Sequence, residues 1–283
     1  MARYTHVNFD SISHLAATVE QLHTTDAYRK RGEASTSDYN PDFYGGWTME
    51  EAIATGTNGG GWREGADLMP RVNVSHETLN GGFTDAPVIN NAVAGFMPDV
   101  PTYLAGVPDC MYQVEQAPIS PTLIRVAVHV GRSSSIEQHQ IANRGAAIMA
   151  VLDQLAKEGY SIQLDAIWRN NDGGTGISVE TCIKHGCDHW SPESVAFALC
   201  HAAFQRRLCW RVAENVNHGT GCGLTGASYG NGVNAEFNDY DLSFGYVTPK
   251  IGRGFGDIDT AVKTIKKATI KQLEKLDVYQ LAA

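Results

Sequence analysis

Leu123-Ile-Arg-Val-Ala-Val-His-Val130 runs into Gly131-Arg-Ser-Ser-Ser135; a helical segment, Ile141 to Glu158, follows, and then Ser161-Ile-Gln-Leu-Asp-Ala-Ile-Trp168. Two apolar runs of strand length flank a segment of helical period, which is the layout of a βαβ unit. The helix sets Ala142, Ala146, Met149, Leu152 and Leu155 on one face, and Gly159 is a natural stop. The spacing predicts an α/β fold: a central sheet with a parallel βαβ core and helices on both faces. Residues 1–283 read as a single α/β body. Residues 1–120 form an N-terminal region packed on it, and 121–283 hold the βαβ core and a C-terminal amphipathic helix. The glycine-serine turn after the first strand lies where a parallel sheet usually keeps its ligands.

Outward from this unit, Phe9 to Leu22 has helical spacing, capped by Asp10 or Ser11. Thr24 to Tyr44 is polar and reads as an exposed loop. Thr48-Met-Glu-Glu51 fits a capping box and starts a short helix that ends before Gly56. Thr57 to Trp62 reads as a flexible loop presenting an aromatic. Val72 to Val74, Val93 to Phe96 and Met111 to Val114 are strand candidates. Later come a strand at Val179 to Ile183 and a helix from Ser191-Pro to about Asn215. His218 to Gly232 is glycine-rich. A strand at Leu242 to Val247 precedes the final helix, Asp257 to Leu276.

The chain has 283 residues, 43% hydrophobic, with a net charge of −9. That charge argues against bulk attraction to nucleic acid but not against a local basic patch. No window is apolar enough to span a membrane, and the N-terminus lacks a signal-peptide layout. Six cysteines, several within apolar helical text, read as buried thiols of a reducing cytoplasm.

Gly131-Arg-Ser133-Ser-Ser135 follows its strand as the Asp-x-Ser-x-Ser metal site follows the first strand of von Willebrand factor A domains. Across about residues 121 to 250 the layout resembles that family, with a Rossmann-like three-layer arrangement. Glycine stands where the metal-binding aspartate should be. Serines without a carboxylate hold a divalent cation poorly, so the resemblance implies a degenerate, metal-free domain. Gly221-Cys-Gly223-Leu-Thr-Gly226 matches Gly-x-Gly-x-x-Gly but follows helical text, so it reads as a loop and not a dinucleotide site. Cys182, His185, Cys187 and His189 are dense in zinc-type donors but lack a second pair at finger or ribbon spacing. No metal and no cofactor is expected. There is no Gly-x-Ser-x-Gly elbow, no His-Glu-x-x-His and no P-loop, so the reading is non-enzymatic. A Cys/His-dependent enzyme and a protein-interaction module are the alternatives.

The last helix carries the basic feature. Val262, Ile265, Thr269, Leu273 and Leu276 share one face; Lys263, Lys267, Lys271 and Lys275 run along the other, with Lys266 beside them. From Phe244 to Ala283 seven Lys or Arg face four Asp or Glu, a local net of +3. Arg253, Arg132 and Arg144 extend the candidate patch, as do Arg206, Arg207 and Arg211. Trp62, Tyr229 and Phe255 lie beside glycines, as aromatics that stack on unpaired bases do. The expected ligand is single-stranded DNA.

Trp47-Thr-Met-Glu-Glu-Ala52 with Gly61-Trp-Arg-Glu-Gly-Ala66, Val100-Pro-Thr-Tyr-Leu-Ala-Gly-Val-Pro-Asp-Cys-Met111, Arg144-Gly-Ala-Ala-Ile-Met149 and Phe204-Gln-Arg-Arg-Leu208 together resemble a family from bacteriophages and their relatives. The resemblance spans most of 47 to 280. In size and character the chain is also similar to the Drc-type single-stranded-DNA-binding RNA polymerase cofactors of podoviruses that carry a virion RNA polymerase. That likeness implies a non-enzymatic transcription cofactor that recruits a phage RNA polymerase. It assigns no residue.

Overall fold

A computed structural model describes residues 3–22, 35–37, 40–69, 86–117, 123–172, 175–220, 237 and 239–280. In chain order its principal elements are β1 (Arg3–Phe9), α1 (Ile12–Gln21), α2 (Met49–Thr57), β2 (Ala86–Ala92), β3 (Met97–Pro98), β4 (Met111–Ala117), β5 (Leu123–His129), α3 (Gln138–Lys157), β6 (Ser161–Asp172), β7 (Thr175–Lys184), α4 (Pro192–Cys200), α5 (Trp210–Thr220), β8 (Leu242–Phe244) and α6 (Ile258–Gln280). Among the described residues β1-β7-β6-β5-β8 form one sheet and β2-β4-β3 another. β5 pairs in parallel with both β6 and β8, β1 is parallel to β7, and the β6–β7 hairpin supplies the antiparallel step. The fold is α/β in class, with the expected parallel βαβ core.

Period-two alternation decides which side of the sheet each residue meets. Ile124, Val126, Val128, Leu164, Ala166, Trp168 and Val179 join α3, α4 and α1 in the main core. Ala127 and Ile167 point to the opposite face and pack with Phe237 and Tyr240. Among the described residues Phe237 and Tyr240 cover part of that face. It is polar: Arg169 bonds Glu180 at 3.1 Å, His6 Nδ1 lies 3.0 Å from the same carboxylate, and Tyr240 donates to Asp165 at 3.0 Å.

Local chemistry explains the boundaries. Thr48 and Glu51 form the reciprocal capping box, and α2 runs through Thr57. Ser11 caps α1, but residues up to Phe9 belong to β1, because pairing with β7 recruits them. The long helix expected from Ser191 breaks at His201, whose backbone is extended. It resumes as a π-helical turn, Phe204–Cys209, that leads into α5. Val93 to Phe96 is not a strand; β2 ends at Ala92, and Phe96 N–H reaches Tyr112 O at 2.8 Å. Val72 to Val74 lies outside the described residues. Thr24 to Tyr44 is not all exposed loop, since Ser35 and Tyr44 are buried.

No described helix is long and apolar enough to cross a membrane. Cys110, Cys182, Cys187, Cys200 and Cys209 are free thiols.

Candidate nucleic-acid interface

α6 begins where Asp257 accepts the Thr260 N–H at 2.8 Å, a cap that holds this carboxyl below its usual range. Ala261, Ile265 and Thr269 are buried and dock the helix against the body. Gln272 accepts from Ser243 N–H at 2.7 Å and donates to Ser243 O at 3.2 Å, so the helix also satisfies the outer edge of β8. The docked side fixes which side is wet. Lys263, Lys267, Lys271 and Lys275 are exposed, and Lys266 is half-buried. Arg253, in the turn before the helix, is exposed as well. Four ammonium groups one turn apart repel one another modestly, and a polyanion laid along the row would relieve that repulsion.

The glycine-serine turn is built differently from its expected role. Gly131 donates its N–H to His129 Nδ1 at 2.9 Å. A Cβ at position 131 would come within 2.3 Å of the His129 imidazole, so the ring fills the space an aspartate would need. His129 is fully buried, and burial, reinforced by Arg144 and Arg169, lowers its pKa to about 3. Ser133 and Ser135 hydroxyls bond each other at 3.2 Å. Arg132 pairs with Val247 as an isolated parallel bridge, which continues the β5–β8 ladder past the strand end.

Arg132 and Arg144 are corrections to the surface patch. Both are buried, at 5% and 7% exposure. Arg144 donates to the carbonyls of His129, Phe244 and Gly245, stitching β5 to β8. Arg206, Arg207 and Arg211 are buried too. Arg206 stacks over Phe43 with 3.8 Å to the ring centroid and donates to the carbonyls of Phe43, Ser133 and Ile136. Arg207 stacks over Tyr44 at 3.7 Å and donates to the carbonyls of Trp47, Ser35 and Ser37. Glu214 closes this knot through both Ser35 N–H and the Ser35 hydroxyl. A cleft of about 620 Å³ opens beside it, lined by Asn40, Phe43, Gly45, Ser134, Gln138 and Arg206 among others. The signal in the sequence was the setting: Ala202-Ala-Phe204 before the arginine pair and Leu208-Cys-Trp210 after it. Cations inside an apolar run are buried cations.

The stacking aromatics are corrected as well. Phe255 is buried at 3% exposure and its carbonyl accepts from Asn143. Trp62 is half-buried; its ring meets Trp47 and His201 edge-on at 5.6 and 4.9 Å between centroids. Both rings pack against the body although the adjacent glycines, Gly61, Gly254 and Gly256, themselves have room, so a neighbouring glycine does not signal display. Tyr229, the Gly221 to Gly226 run and Cys222 lie outside the described residues. Cys182 Sγ and His185 Nδ1 are 3.5 Å apart, but among the described residues no three metal-type donors converge. The structure thus groups Lys263, Lys266, Lys267, Lys271 and Lys275 on one helix. It buries Arg132, Arg144 and Phe255 and half-buries Trp62.

The chain belongs to the DUF7192 family, a domain of unknown function, whose family model matches residues 2–277. No curated protein and no solved structure matches it.

Proposed function

We propose that this DUF7192 member is a non-enzymatic nucleic-acid-binding protein that lays a single strand of DNA along α6. The observation that carries the reading is the row Lys263, Lys267, Lys271 and Lys275, exposed along a helix whose other side is docked. Ammonium groups bind phosphate oxygens as point charges and release condensed counterions, so such a row supplies affinity without base preference. The preference for single strands rests on the resemblance to phage transcription cofactors, because Phe255 and Trp62 are packed and do not offer stacking faces. On the same resemblance, the bound protein serves as a bacteriophage transcription cofactor that recruits the phage RNA polymerase.

A second reading, a metal-free protein-interaction module, draws on the small sheet. Val93, Phe96, Tyr103 and Leu104 are 62–78% exposed there. Several large apolar side chains exposed on one small sheet and its connections are typical of protein-contact surfaces. The imidazole packed against Gly131 fits this reading too, since it leaves no place for the A-domain aspartate. A cysteine-dependent enzyme draws no support from Cys182, Cys200 or Cys209, whose pKa values burial raises to about 12. The thiolate is the nucleophile, and these sites disfavour it.

The discriminating experiment measures binding to matched single-stranded and duplex DNA at two salt concentrations. The expected result is tighter binding to the single strand, weakening steeply as salt rises. Equal affinity for both forms overturns the single-strand reading. No binding to either at low salt overturns the nucleic-acid reading and leaves the interaction module.

A further inference from the structure

Arg132 is buried at 5% exposure. Its Nε–H donates to Gln205 Oε1 at 2.8 Å, from the glycine-serine turn to the π-helical turn. That bond fixes the amide: with Oε1 facing a donor, Gln205 Nε2 can only donate. Gln205 Nε2 and Arg132 Nη2 are both buried and have no hydrogen-bond partner among the described residues. Two neighbouring side chains therefore present donors in the interior with no acceptor, which native interiors rarely tolerate.

Charge narrows what the acceptor is. The cations acting on Arg132 are Arg206 and Arg144, and the groups that oppose them, the Cys209 and Cys200 thiols, are kept protonated by burial. No carboxylate is among them. Arg144 and Arg206 spend their donors on main-chain carbonyls, which satisfy hydrogen bonds but cancel no charge. A guanidinium does not shed its proton in a protein. A water could accept from both donors, yet it would leave the positive charge uncompensated in a medium where that is expensive. An anion does both jobs. A spherical halide is the smallest anion that can accept from both donors.

We propose that the protein holds one small monovalent anion of the halide class at Arg132 Nη2 and Gln205 Nε2, as counter-ion to the buried arginines. The anion ties the end of β5 to the π-helical turn. It is independent of the nucleic-acid reading.

The test compares thermal unfolding in sodium chloride and in sodium gluconate at equal ionic strength. In wild type Tm should rise with chloride by roughly 2 °C per tenfold above the dissociation constant, because a ligand bound only by the folded state stabilises it by mass action. Gln205→Glu keeps the bond to Arg132 Nε and places a carboxylate oxygen at the free position. It should raise Tm in gluconate and abolish the chloride response. Arg132→Met should also be indifferent to chloride. Lys263→Glu/Lys267→Glu/Lys271→Glu should keep the full response, which separates the buried site from loose binding at the surface. Bromide-soaked wild-type crystals should show an anomalous peak beside Arg132 even if a variant fails to fold. Equal wild-type Tm in the two salts, a response that survives in folded Gln205→Glu, or bromide crystals without that peak would each overturn the proposal.

Discussion

Gly131 and His129 set what the end of β5 can hold. An aspartate at 131 would drive its Cβ to 2.3 Å from an imidazole that is buried and accepts the Gly131 N–H. Gly131→Asp should therefore cost about 1–3 kcal/mol, the usual penalty for overpacking. It should gain no stabilisation from magnesium or manganese, since Ser133 and Ser135 already bond each other. Thermal unfolding with and without metal reads both effects; a metal-dependent rise in the variant would contradict the account. His129 and His201 make a second prediction at this scale. Burial is the main cause that takes each to about 3. His201 is stacked 3.9 Å from Trp47 and accepts the Ala203 N–H. The folded state keeps both rings neutral, while the unfolded chain protonates them below about 6.5. Their stabilisation is complete above that pH and is lost as pH falls toward 3. Between pH 7.5 and 5.5 each ring gives up about 1.4 kcal/mol, so urea unfolding should show a loss of about 2.7 kcal/mol. An unchanged free energy over that window would mean the rings are solvated.

At the scale of elements, α6 was legible because its apolar and lysine faces differ at helical spacing and nothing but the body has to be added. The β5–α3–β6 unit was legible for a related reason: both strands are apolar runs and the helix between them keeps one clean apolar face. β1 was not. Its seven residues, Arg3–Phe9, mix charged and apolar types at the chain's start, and they become a strand only by lying along β7. The break at His201 was also hidden, since Leu199 to Trp210 is continuously apolar apart from His201, Gln205 and the arginine pair. What bends the chain there is tertiary: Gln138 donates to Cys200 O at 2.9 Å and accepts from Ala202 N–H at 2.9 Å. The candidate site divided along the same line. Lysines on a face whose opposite side is apolar were placed correctly outside. Arginines and aromatics judged by their immediate neighbours, Arg132, Arg144, Trp62 and Phe255, were placed outside when they belong within. A glycine next to an aromatic is compatible with display and with tight packing, and only the neighbouring elements decide between them.

At the scale of the molecule, a chain of net charge −9 puts a local excess of +3 into its last forty residues. Its buried arginines serve the fold and leave that excess as the cationic surface on which the nucleic-acid reading rests. Long-range repulsion from the acidic remainder is screened as salt rises, so the fall of affinity with salt should come from the phosphate contacts of the lysine row. The central claim is that the exposed row of α6 holds phosphates, and the most direct measurement is the salt dependence of single-stranded DNA binding by Lys263→Glu/Lys267→Glu/Lys271→Glu beside wild type. The three positions are exposed, so each change should cost within about 0.5 kcal/mol and the variant should remain folded. Its affinity should fall to a similar degree for every sequence tried, and the log–log salt slope should flatten by about 2, or about 0.7 for each lost contact. A folded variant with unchanged affinity and an unchanged slope would contradict the account and reduce the row to a solvated helix face.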